Sequence, residues 1–121
     1  MLTLLCSTLM FGQLSENFES DISTRGWSFY QTGSDDPGFI ITDEHSYNGN
    51  YSYFHDDDNM SETSSSFMVS PAYTVQNGDE FSVFVRQWYS DSYYGYSGIW
   101  ISTSSSDPIA NPGDFTELWE A

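Results

Sequence analysis

After residue 14 the chain never repeats its apolar residues at helical spacing. Short apolar or alternating runs appear instead, each bounded by Gly, Pro, Asn, Asp or Ser. A buried helix face needs apolar residues three and four apart, whereas a half-covered strand alternates. The pattern therefore excludes a helical body and predicts an all-β fold. Strands are expected over residues 16–20, 26–31, 38–42, 50–55, 65–70, 80–89, 97–103 and 115–119. Turns are expected at Asp36-Pro37-Gly38, Asn48-Gly49-Asn50, Asn77-Gly78-Asp79 and Asn111-Pro112-Gly113. The longest run, Phe81-Ser82-Val83-Phe84-Val85-Arg86-Gln87-Trp88, sets Phe81, Val83 and Val85 on one face and Phe84 and Trp88 around Arg86 on the other. With both faces covered, it is expected in the middle of a sheet. Many short strands at this spacing indicate a β-sandwich or barrel.

Charge narrows the function classes. The 121 residues include two Arg, no Lys and 18 acidic side chains, a net charge of −16 with His neutral. Phosphate binding needs clustered cations, so nucleic acid is excluded as a partner, and an anionic membrane surface with it. Aromatic residues make up 18% of the chain, too many for a disordered acidic tail. One folded domain is what this length holds.

Residues 1–13, MLTLLCSTLMFGQ, are uncharged and mostly apolar. The run is shorter than the ~20 residues a membrane span requires and fits the apolar part of an export signal. The sole cysteine, Cys6, lies inside it, so a processed chain has no thiol for disulfides, thiolate metal sites or cysteine catalysis. The reading is a secreted or cell-surface domain over residues 14–121, with no membrane insertion of the mature chain. The final Leu118-Trp119-Glu120-Ala121 follows a strand signal directly. It is read as a domain lacking its closing strands.

Several motifs occur in a familiar order: Phe18-Glu19-Ser20, then Gly26-Trp27-Ser28-Phe29, then His45-Ser46-Tyr47-Asn48-Gly49-Asn50-Tyr51-Ser52, then Phe67-Met68-Val69-Ser70-Pro71, and last Phe81–Arg86 and Ile99-Trp100-Ile101-Ser102-Thr103. Over residues 16–119 this series resembles the cleaved-adhesin or choice-of-anchor J domain, a MAM-like jelly roll of secreted Bacteroidetes-type proteins. Ser65-Ser66-Phe67-Met68 departs from the family's Asp-x-Trp-Leu at that place. The resemblance implies a jelly-roll β-sandwich, non-catalytic and often calcium-bound, appended to other domains of the same polypeptide. It further implies a calcium site at Glu19 with the loop bearing Asp43, Ser46 and Asn48. Independently, so large an excess of like charge repels itself, which a bound dication would offset.

Three other sets of residues bear on function. His55-Asp56-Asp57-Asp58-Asn59 is the densest acidic run, but Met60 and Ser61 stand where an EF-hand loop needs an acid or Asn and a Gly. Trp88, Tyr89, Tyr93, Tyr94 and Tyr96 alternate with Ser90, Asp91, Ser92 and Gly95. Such a patch suits a sugar ring or a protein interface, and equally the packed rim of a sheet. Gly95-Tyr96-Ser97-Gly98 has Ile99 where a nucleophile elbow needs Gly, and His45 and His55 sit in no zinc motif. The expectation is a secreted, non-catalytic, calcium-stabilised module that recognises a glycan or a surface protein. An accessory or partial catalytic β-sandwich of a secreted hydrolase is the alternative, and a ligand-free spacer the third.

Overall fold

A computed structural model describes residues 15–55, 63–86 and 96–120. The fold is all-β. Its strands are β1 (Ser28–Gln31), β2 (Phe39–Thr42), β3 (Ser52–His55), β4 (Ser66–Val69), β5 (Gly98–Ser102) and β6 (Phe115–Glu120), with single 3-10 turns at Ser23–Arg25 and Pro112–Asp114. Aromatic and β-branched residues fill the strands, as in the Phe39-Ile40-Ile41-Thr42 run of β2.

The described strands pair as three antiparallel ladders, β1 with β4, β2 with β3 and β5 with β6. Phe29 lies opposite Met68 in the first, and Ile41 opposite Tyr53 in the second. Beyond β1 the first ladder is prolonged by Thr32 N–H donating to the Ser65 carbonyl at 3.1 Å and Ser65 N–H to Thr32 Oγ1 at 2.9 Å. Rings join the two ladders: Phe29 of β1 stacks on Tyr53 of β3 at 5.5 Å, and Phe18 meets Trp27 and Tyr53 edge-on at 5.9 and 5.6 Å. Beside this cluster Ile22 is wholly buried, its N–H donating to the Tyr53 hydroxyl.

Among the described residues two expected strands do not form. Residues 16–20 form a tight loop in which Phe18 holds a left-handed φ of 58°. Side chains here outcompete a ladder: Glu16 Oε1 accepts Phe18 N–H at 2.8 Å, and Asn17 Oδ1 accepts Glu19 N–H at 3.2 Å. A positive φ in a bulky residue costs about 1–3 kcal/mol, which the packing of the Phe18 ring offsets. Residues 80–86 are likewise not a strand, although they open the run expected at the centre of a sheet. Phe81 is 71% and Phe84 66% exposed, and no strand among the described residues hydrogen-bonds to this segment. Phe84 instead lies flat on Tyr47, ring centres 3.6 Å apart. Strand character in a sequence reports a side-chain pattern, and the ladder also needs a partner backbone at the right distance.

Candidate functional site

The most enclosed polar group among the described residues is Asp36, 4% exposed, in the turn between β1 and β2. Its Oδ1 accepts Gly38 N–H at 2.7 Å and His55 Nε2–H at 2.9 Å. Its Oδ2 accepts the hydroxyls of Ser64 and, at 2.7 Å, Ser66. An ionised carboxylate only accepts, so the ring nitrogen facing it carries the proton. Around this centre Gln31 Nε2 donates to the Asp36 carbonyl and Gly33 N–H to Ser64 Oγ, both at 2.9 Å. Burial alone pushes the Asp36 carboxyl up. Bonds from Ser64, Ser66, Gly38 and His55 together outweigh it and hold the group well below the usual carboxylate range. Asp36 thus ties the ends of four strands, its carbonyl holding Gln31 of β1 and its carboxylate the ends of β2, β3 and β4.

An acid, an imidazole and two hydroxyls in contact invite comparison with a hydrolase. Nucleophilic catalysis needs the imidazole between hydroxyl and carboxylate, so that the base takes the hydroxyl proton. Here the order is different. Ser64, Ser66 and His55 all donate to Asp36, and neither serine hydroxyl is bonded to His55. With its proton donated into a carboxylate, each hydroxyl is held as a donor, and among the described residues no imidazole nitrogen accepts from it.

At the corner expected to hold calcium, Glu19 is held by amide donors. Glu19 does meet the loop, but at its far side: Oε1 accepts Asn50 N–H at 2.7 Å and Tyr51 N–H at 3.2 Å, and Oε2 accepts Asn50 Nδ2–H at 2.9 Å. These bonds, that from the Asn50 side chain foremost, hold the Glu19 carboxyl below its ordinary range. The close approach depends on Gly49, whose φ is +91° and where any Cβ would overlap Glu19 Oε1. Ser46 donates to the Gly49 carbonyl at 2.9 Å, while Asp43 and Asn48 are exposed and share no bond with Glu19. A calcium ion takes six to eight oxygens. Among the described residues no three His, Cys, Asp or Glu side chains group as a metal requires.

Of the aromatic patch, Trp88, Tyr89, Tyr93 and Tyr94 lie outside the described residues, as does the acidic run from Asp56 to Asn59. Tyr96 is described. Its hydroxyl accepts from Trp100 Nε1–H and donates to Glu117 Oε2 at 3.1 Å, and the two rings meet edge-on at 6.2 Å. Trp100 and Glu117 were not singled out by sequence spacing. The β5–β6 register sets them opposite one another. Asp36, Ser64 and Ser66 were missed as well: the serines stand 28 and 30 residues from the acid, and nothing local marks them. An open cleft beside β2 is lined by Asp21, Phe29, Phe39, Ile41 and Tyr53. Asp21 Oδ1 there accepts Ser23 N–H at 2.9 Å and the Tyr53 hydroxyl at 3.4 Å.

Comparison with protein-family models, curated proteins and solved structures finds no match to this chain.

Proposed function

We propose that the chain is a non-catalytic recognition module of an exported or cell-surface protein, a jelly-roll-type sandwich working alongside other domains of its polypeptide. The observation that carries this reading is the direction of the hydrogen bonds at Asp36: hydroxyls and imidazole converge on the acid, so the Asp–His–Ser group serves as a structural clasp. Export is supported by the apolar, uncharged residues 1–13. Recognition is supported by aromatic side chains left at the surface, among them Tyr47, Tyr96, Trp100 and Trp119. A protein surface or a glycan is the partner class that such rings fit.

The test is turnover. The purified chain is incubated with chromogenic ester, peptide and glycoside substrates, with His55→Ala and Ser64→Ala beside it. The expected result is no hydrolysis above buffer for any of the three proteins. Hydrolysis that disappears in either variant would establish the rival reading, a piece of a secreted hydrolase.

A further inference from the structure

The β5–β6 ladder carries an acidic aromatic face that its register creates. Alternation along β5 puts Gly98, Trp100 and Ser102 on one side. Across the ladder, Glu120 lies opposite Gly98 and Glu117 opposite Trp100. Residues three apart on a regular strand point to opposite faces. Here the register shifts between Ile99 and Trp100, so that Leu118 is the extra residue of a bulge and both glutamates fall on the Trp100 face. Tyr96 completes that face. Its hydroxyl lies over Gly98, where a Cβ would overlap it.

The hydrogen bonds on this face decide what it can hold. The only donor of Trp100 is its Nε1–H, which goes to Tyr96, and the Tyr96 proton goes to Glu117. What remains for a ligand is the π surface of two half-exposed rings, 47% and 46% exposed, and carboxylate oxygen, including Glu117 Oε1, which accepts no bond among the described residues. Burial and the carboxylates of Glu117 and Glu120 raise the Tyr96 phenol. A sugar needs donors as well as acceptors for its hydroxyls, and at Tyr96 and Trp100 the phenol and indole protons are both already engaged. A cation is satisfied by rings and carboxylates alone.

We propose that the Tyr96–Trp100–Glu117–Glu120 face binds a guanidinium or ammonium group, the Arg or Lys side chain of a basic polypeptide partner. The inference rests on the recognition-module reading and names its partner class. The net charge of −16 draws such a partner in, and the face fixes where its cation comes to rest.

The test is a titration of the full chain with acetyl-Gly-Arg-Gly-Arg-Gly-amide, followed by the indole N–H resonance of Trp100, with the citrulline peptide as its uncharged counterpart. The Arg peptide is expected to shift that resonance and the citrulline peptide to leave it in place. Glu117→Gln, which keeps an acceptor for Tyr96, should weaken binding about three- to tenfold, and Trp100→Ala, followed by calorimetry, at least as much. Glu80→Gln removes one equally negative charge elsewhere and should leave affinity unchanged. Equal weakening by Glu80→Gln and Glu117→Gln would reduce the effect to general attraction and overturn the site. So would a Trp100 resonance unmoved by the Arg peptide but moved by an oligosaccharide, although the recognition reading would then stand. Hydrolytic turnover in the preceding test would remove both.

Discussion

A single buried carboxylate links the ends of β2, β3 and β4. Replacing Asp36 with Asn keeps its size but leaves at least one serine or histidine donor facing an N–H. Urea unfolding at neutral pH should report a loss of about 2–4 kcal/mol. The pH dependence follows from the sign of the shift. The folded carboxyl sits below its unfolded value of about 3.9, so its stabilisation is complete above that pH and is lost as pH falls below it. The stability gap between wild type and Asp36→Asn should therefore narrow below about pH 4, and a gap that stays constant down to pH 3 would contradict the clasp. Gly49→Ala tests the second carboxylate. Left-handed backbone costs an L-residue roughly 1–2 kcal/mol, and the new methyl also displaces Glu19. Thermal melts should show the loss to be smaller in a Glu19→Ala background, where the overlap has gone. The sequence made Glu19 and its loop visible as neighbours because their motifs stand in a familiar order. It hid the Asp36 clasp, because Asp36-Pro37-Gly38 also reads as an ordinary turn and its serines arrive from across the chain.

Strands are legible where side-chain pattern and ladder agree. Punctuated runs marked β1 to β6 to within a few residues, since Gly, Pro and Asn turns fix their limits. Residues 16–20 and 80–86 failed for opposite reasons. In the first, Glu16 and Asn17 capture the amides; in the second, alternation is present but no described strand lies alongside. The bulge in β6 was equally invisible, because a one-residue slip leaves composition untouched while it exchanges the faces. Val83→Pro tests the second case. A central strand would lose about 3 kcal/mol to a proline, whereas the unpaired segment should lose no more than about 0.5 kcal/mol. A melting temperature lowered by many degrees would put a ladder back at this place.

At the scale of the whole molecule, like charge is the dominant strain. Raising sodium chloride from about 0.05 to about 0.5 M shortens the screening length to a few ångströms and should raise the melting temperature. A fall with salt would mean that paired charges outweigh repelling ones. At fixed ionic strength, melts in calcium and in a chelator should coincide, since Glu19 already has its donors. A clear rise on calcium would return an ion to that corner.

Ladders only two strands wide have no interior strand, so in the described residues each of the six strands has one edge outside its ladder. Such margins zip readily onto copies of themselves. Carboxylates in excess by 16 keep those copies at arm's length, and the chain's acidity is thereby its guard against fibrils. That guard fails in acid, where the carboxylates take up protons, and the protein should be handled and stored well above that range.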